Sequence, residues 1–278
     1  MVIVKITNPK NGKVHEFYFD KRLYENLVKK VKKSVQKKDK DRVIIIDGGE
    51  GNGKSTFAFQ VAKILYPSFD LNNICFTSEE FVKAISQAKK NECIVYDEAF
   101  TGLSSRGALS EVNRMLVSLM MEMRQNNLFV IIVLPTFFLL DKYVAIWRAR
   151  DLFHIYERNG ERGFWVYYNR NKKKLLYLKG KKEYIYSGVR SNFRGRFIRG
   201  YIIDEDEYRK KKSIALKSRD RRTKSDKFKG QRDNLIRLLH KELDLTLKTL
   251  SEKLKEYNIS LKSTQLSDIL REKGGEDG

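Results

Sequence analysis

Eight consecutive residues restrict this chain more than any other feature: Gly48-Gly49-Glu50-Gly51-Asn52-Gly53-Lys54-Ser55, directly after the apolar run Val43-Ile44-Ile45-Ile46-Asp47. They fit the pattern G-x-x-x-x-G-K-[ST], between an expected buried strand (Val43–Asp47) and an expected helix from about Lys54 to Leu65. The glycines let the backbone curl so that successive N–H groups face one centre, and the helix points its N-terminus at that same centre. Such a loop cradles phosphates. Gly48, Gly49, Glu50, Gly51, Asn52, Gly53, Lys54, Ser55 and Thr56 are therefore the expected nucleotide-binding residues, with Lys54 reaching the β/γ oxygens and the Ser55 hydroxyl joining a Mg²⁺ shell. The plain alternative, a glycine-rich turn before an ordinary helix, leaves the flanking strand and helix unexplained.

A second motif follows. Cys93-Ile94-Val95-Tyr96 is an apolar run that ends in Asp97-Glu98. A buried strand that delivers an aspartate at its C-terminal end places it beside the metal of the phosphate loop. Glu98, one residue on, is suited to orient and deprotonate an attacking water. A general base next to the metal carboxylate favours transfer to water over transfer to a second substrate, so the expected reaction is hydrolysis of ATP with Mg²⁺. A further strand, Leu128–Leu134, ends at Pro135-Thr136, and Thr136 is the candidate sensor of the γ-phosphate.

Around these motifs the chain reads as five regions. Residues 1–42 hold a hairpin (Val2–Ile6 and Val14–Phe19) and a basic amphipathic helix, Lys21–Lys38, with Leu23, Leu27, Val31 and Val35 on one face. Residues 43–160 alternate strands and helices, which implies an α/β fold with a mostly parallel sheet. Its further elements are a short strand Ile74–Phe76, helices Ser78–Lys89, Leu109–Arg124 and Leu139–Trp147, and a fifth strand Asp151–Glu157. Residues 161–212 read as a small antiparallel β appendage, with strands Gly163–Asn169 and Lys173–Lys179. Residues 213–230 read as a basic linker and 231–274 as a helical domain.

Charge narrows the partners. Lys and Arg number 57 against 35 Asp and Glu, a net charge of +22. A field of that sign attracts polyanions, above all nucleic acid, and is unlike that of an ordinary metabolic enzyme. Cys75 and Cys93 lie in apolar runs and read as buried thiols, so no disulfide framework is expected. The three histidines, His15, His154 and His240, are scattered and have no ligand spacing. The longest apolar stretch, Leu128–Leu140, is too short to span a bilayer and is interrupted by Pro135 and Thr136. With no signal-peptide layout at Met1–Thr7, the expectation is a cytoplasmic protein without membrane insertion.

The phosphate loop and Asp97-Glu98, with the strand Leu128–Leu134, resemble the additional-strand, catalytic-glutamate division of P-loop ATPases. Within it, Asp97-Glu98-Ala99, Leu103-Ser104-Ser105-Arg106, Met123-Arg124-Gln125-Asn126-Asn127, Leu140-Asp141 and Trp147-Arg148 make Val43–Tyr156 similar to the zonula-occludens-toxin-type proteins of filamentous phages and, more distantly, the FtsK–HerA DNA pumps. The resemblance covers under half of the chain. It implies a P-loop NTPase with sheet order 5-1-4-3-2 and a homo-oligomer, often a hexameric ring, with ATP between subunits. It also implies an arginine donated by the neighbour to the transferred phosphoryl group. Candidates are Arg106, Arg124, Arg148 and Arg150; Arg148 and Arg150 are preferred because they adjoin the fifth strand. Thr136 stands where the pump families usually carry glutamine.

The C-terminal third supplies the expected DNA contacts. Phe193–Tyr201 mixes arginines with aromatics, which either track phosphates and stack bases or pack on the sheet. Asn234–Leu243, Leu247–Glu256 and Lys262–Lys273 read as three helices around Leu250, Leu254, Ile259, Leu266, Ile269 and Leu270. They resemble a helix-turn-helix with Lys262–Lys273 as recognition helix. Ser263, Thr264 and Gln265 are then placed for base edges, and Lys248, Lys262 and Arg271 for phosphates of double-stranded DNA. A three-helix docking unit is the alternative. The functional expectation is an ATP-hydrolysing DNA-handling protein of a virus, plasmid or mobile element, which translocates, packages or transfers DNA. A replication helicase loader or initiator, or an ATP-gated DNA-binding regulator with little turnover, would use the same site.

Overall fold

The computed structural model describes residues 1–38, 40–97, 106–122, 126–198, 200, 202–220, 224–243, 246–256, 261 and 263–271. The chain divides into two compact units, Met1–Leu216 and Lys217–Gly278.

The first unit is built on a seven-stranded sheet in the order β4-β5-β6-β3-β7-β8-β9. Its strands are β3 (Arg42–Gly48), β4 (Ile74–Cys75), β5 (Cys93–Tyr96), β6 (Phe129–Leu134), β7 (Ala149–Arg158), β8 (Glu161–Tyr168) and β9 (Phe193–Arg196). The strands from β4 to β7 run parallel, and β6 lies between β3 and β5, the two strands that carry the motifs. Strands β3, β5 and β6 are continuous apolar runs because both sheet faces are covered. The period of two is visible in the packing. Ile44, Ile46, Ile131 and Val133 enter one core layer, whereas Val43, Ile45, Val130 and Ile132 enter the other.

The first layer is capped by α3 (Lys54–Leu65) and by the N-terminal elements. These are a two-stranded hairpin, β1 (Val2–Thr7) and β2 (Val14–Phe19), followed by α1 (Lys21–Asn26), a wider π-type turn Leu27–Lys32, and α2 (Lys33–Lys38). Leu23, Leu27, Val31 and Val35 are all buried, as their spacing predicts. A strict four-residue spacing drifts around a helix of about 3.6 residues per turn, and the wider turn brings the stripe back into line. The second layer is covered by α4 (Ser78–Gln87), α5 (Arg106–Glu122) and α6 (Arg170–Gly180).

Four expectations are corrected. Lys173–Lys179 is helical, within α6. Lys173, Leu176, Tyr177 and Gly180 form one buried face, and the Asn169 side chain caps the first turn by accepting from Lys172 N. Instead of a separate appendage, β8 and β9 extend the central sheet antiparallel to β7. The expected basic linker is also helical where described, in α7 (Glu205–Asp220) and α8 (Lys224–Leu243). Lys, Arg, Ala and Leu are strong helix formers, and a charge run by itself does not break a helix. The expected helix Leu139–Trp147 is replaced by two short turns, Phe137–Leu139 and the π-type Tyr143–Arg148.

The second unit holds α8, α9 (Leu247–Glu256) and α10 (Ser263–Arg271). Its core gathers Ile236, Leu250, Leu254, Leu261, Leu266 and Ile269. The Ser251 hydroxyl of α9 donates to Leu261 O at 2.7 Å.

Candidate nucleotide site

The site forms at the C-terminal ends of the parallel strands. Strand β3 runs into the loop at Gly48, whose φ of +143° and neighbours leave no room for a side chain: an added Cβ would lie 2.0 Å from Ile155 O. Gly51 and Gly53 take φ of +75° and +89°, and Gly53 is the N-cap of α3. The Lys54 ammonium folds over the loop and donates to the carbonyls of Gly48 (2.9 Å) and Gly49 (2.8 Å). Next to it, Ser55 Oγ donates to Asp97 Oδ1 at 3.0 Å. Loop and second motif therefore meet, although 42 residues separate Ser55 from Asp97.

Asp97 is fully buried, and its other oxygen accepts from the Tyr208 hydroxyl at 2.6 Å. Tyr208 sits on α7 and packs against Phe59 and Phe76. Serine hydroxyl and carboxylate are hard oxygen donors, and Mg²⁺ takes one or two such protein ligands together with phosphates and water. The pair therefore fits the expected metal, with Tyr208 fixing the carboxylate from behind.

A second buried acid lies one residue before the loop. Asp47 has 0% exposure and accepts from Phe137 N (2.7 Å) and from the Tyr186 hydroxyl, and it contacts His154 Nδ1 at 2.9 Å. The His154 and Tyr186 rings stack with centroids 3.8 Å apart. Burial and the neighbouring Asp47 push the Tyr186 hydroxyl's pKa well up, so it remains a donor. Thr136, at the end of β6, joins this network through Tyr186 OH at 2.9 Å. It reaches the loop's entry through a buried relay, without contacting Lys54 or Ser55 directly in any of the contacts above.

The remaining expected residues fall elsewhere. Glu98, Arg124 and Lys262 lie outside the described residues, as does Ile259. Arg148 and Arg150 stand at the start of β7, beside the start of β3, and so at the opposite end of the sheet from Gly48. Arg148 is ion-paired with Asp41. Arg106, Ser263 and Arg271 are terminal residues of α5 and α10. Lys248, Thr264 and Gln265 are exposed on α9 and α10 of the second unit. In Phe193–Tyr201 the aromatics are structural where described: Phe193 packs on Trp165 and Tyr167, and Phe197 on Phe57.

Sequence reasoning missed Asp47, His154, Tyr186 and Tyr208. Asp47 carried a signal, an acid closing an otherwise apolar strand; the other three are brought in from distant segments. It also missed Arg162. The guanidinium of Arg162, near the start of β8, lies 3.9 Å from the point a Cβ on Gly51 would occupy, and it pairs loosely with Glu157 at 3.7 Å.

A family model described as novel STAND NTPase 3 matches residues 27–142, under half of the chain but inclusive of the phosphate loop, Asp97 and Thr136. No curated protein matches. Among solved structures, the KaiC-like protein PH0186 from the hyperthermophilic archaeon Pyrococcus horikoshii OT3 is similar at a TM-score of 0.34 and 16% identity, over 47% of this chain and 79% of that one. Among the described residues, no helix is long and apolar enough to cross a membrane.

Proposed function

We propose that this chain, a nucleotide-binding P-loop NTPase, hydrolyses ATP with Mg²⁺ in order to handle DNA. One observation carries the hydrolytic reading: Ser55 of the loop and the buried Asp97 of the second motif converge at 3.0 Å, beside the Lys54 ammonium. In this proposal Ser55 and Asp97 hold the metal, which supplies Lewis-acid charge neutralisation at the phosphates. Lys54 releases the carbonyls of Gly48 and Gly49 to meet the β/γ oxygens. Glu98 takes the proton from the attacking water. Thr136, held by Tyr186, which Asp47 holds in turn, senses the γ-phosphate.

Arg162 is the arginine we assign to charge building on the transferred phosphoryl group, because it lies against Gly51 of the same chain. In a homo-oligomer, Arg148 or Arg150 would have to reach a neighbour's nucleotide from the far end of the sheet, and Arg148 is already committed to Asp41. The order of the parallel strands, with β6 between β3 and β5, supports the additional-strand, catalytic-glutamate reading.

The DNA part of the proposal rests on the net charge of +22 and on the second unit. There, three helices close around one small core, as a helix-turn-helix would, and Thr264 and Gln265 are exposed near the start of α10. Translocation, packaging or transfer of DNA is the preferred use. A second reading, an ATP-gated regulator, is favoured by Tyr208. A residue on the helix that leaves the ATPase unit holds the metal-site carboxylate, so nucleotide state can be passed along α7.

Steady-state ATP hydrolysis by the full chain separates the two. The motor reading expects turnover that duplex DNA stimulates, and that Glu98→Gln and Arg162→Ala each lower by about 10²-fold or more. Glu98→Gln with wild-type turnover would remove the catalytic assignment. Turnover near zero with tight ATP binding would select the regulator.

A further inference from the structure

The end of the sheet away from the phosphate loop carries an open cleft that the nucleotide chemistry does not use. Arg42 opens β3 and Gly48 closes it, so the cleft lies about 20 Å from the loop at about 3.3 Å per residue. It consists of two adjoining cavities of about 190 Å³ and about 350 Å³ that share Tyr167 and Asn169. Five cations line it: Arg42, Arg150 and Arg170 in the first cavity, Arg22 and Lys30 in the second. Asp151 is the single acid among the lining residues, and it is already engaged by Arg42 at 2.7 Å and by the Tyr167 hydroxyl at 2.7 Å.

Two of these arginines are left over. Among the described residues, the side chains of Arg150 and Arg170 make no ion pair and no hydrogen bond; burial and the charges of Arg170 and Arg42 lower the pKa of Arg150, only partly offset by Asp41 and Asp151. The backbone presents Arg150 by a specific device. The β3–β7 ladder passes from Val43↔Ala149 to Ile44↔Asp151, so Arg150 is an extra, unpaired residue. Such bulges are rare between parallel strands and re-aim a side chain. On the facing wall, Arg22 lies over the Phe193 ring at 4.7 Å. Gathering like charges around a concavity costs free energy that an anion would recover.

We propose that this cleft holds the sugar-phosphate backbone of a nucleic-acid strand. Five cations spread over two joined, open cavities match a row of phosphates better than one small anion, which calls for an enclosed pocket. Guanidinium forks suit phosphate oxygens, and the lining asparagines add neutral donors. The concave shape does not fit a flat bilayer. The contact is with backbone, so it positions DNA without reading sequence. The inference rests on the DNA-handling reading and adds to it a DNA contact in the ATPase unit itself.

The test is fluorescence anisotropy of a labelled random-sequence duplex against the full chain, at a series of salt concentrations. The comparison is between wild type and Arg22→Ser/Arg170→Ser, both positions being exposed. The expected result is an affinity loss of about tenfold or more, with the slope of log K against log salt reduced by about 1.8, from about 0.9 per phosphate contact. A Lys30→Ser chain, changed at one exposed position, carries the same test with about half that slope change or less if the double variant melts early. A variant with wild-type affinity and slope would overturn the cleft and leave the DNA-handling reading standing. Wild-type chain that binds no duplex at all would overturn both.

Discussion

The two ends of the parallel sheet handle charge in opposite ways. At the nucleotide end the charges are acids, and each is surrounded by donors. Asp47 is met by Phe137 N, Tyr186 and His154, and Asp97 by Ser55 and Tyr208. At the other end the charges are cations, and only some are neutralised. Arg42 has Asp151 and Arg148 has Asp41, while Arg150 and Arg170 have no ion pair among the described residues. Donors held in place around a carboxylate pre-shape a metal and phosphate site. Unneutralised cations around an open cleft wait for a partner. On the proposed reading, one sheet carries a preorganised site for a nucleotide at one end and a surplus of charge for a nucleic-acid backbone at the other.

The largest expected effect comes from breaking the acid end. Asp47→Ala leaves Tyr186, His154 and Phe137 N without their acceptor in a buried site, and should cost about 3–5 kcal/mol in denaturant unfolding. A loss under about 1 kcal/mol would mean that the network does not organise the loop's entry.

Lys173 sharpens the comparison from the cation side. It is fully buried, donates to Ala145 O, and burial lowers its pKa to about 8 from 10.5. Between those two values the unfolded chain holds the extra proton. Wild-type stability should therefore gain on Lys173→Met as pH rises from about 8 to about 10.5, by on the order of 3 kcal/mol in total, and the difference should be flat below pH 8. A flat difference throughout would show that burial does not lower the Lys173 pKa, so that the ammonium stays charged in the core as readily as in the unfolded chain.

Tyr208→Phe keeps the packing on Phe59 and Phe76 and removes one hydrogen bond to a charged group. Affinity for Mg²⁺–ATP, measured by calorimetry, should fall about tenfold or more, while binding of ATP in EDTA changes little. Equal losses with and without Mg²⁺ would place the effect on the fold and away from the metal carboxylate. The smallest expected effect is Arg150→Ser. With no ion pair to lose among the described residues, its unfolding free energy should move by no more than about 0.5 kcal/mol.

These contrasts also mark what the sequence could tell. Gly48–Ser55 and Cys93–Asp97 were legible because each is a contiguous pattern whose chemistry is local: glycines for a tight loop, an apolar strand ending in an acid. The parallel core followed from alternating strands and helices. Lys173–Lys179 misled because Leu175, Tyr177 and the lysines alternate like a strand, whereas the buried set Lys173, Leu176, Tyr177 and Gly180 obeys the helical period. Tyr186 and Tyr208 were illegible, since each meets its acid across more than 100 residues of chain. Which arginines are spare was equally hidden: the arginine-rich composition is plain, but Asp41 and Asp151 choose their partners only in the folded sheet.

The measurement that tests the central claim most directly is the rate of ATP hydrolysis by the full chain against duplexes of increasing length at fixed nucleotide-pair concentration. The account predicts stimulation that grows with length, because a chain holding backbone at one end of the sheet and turning over ATP at the other stays engaged longer on longer DNA. A rate indifferent to every nucleic acid would contradict it, and the surplus charge would then belong to another partner.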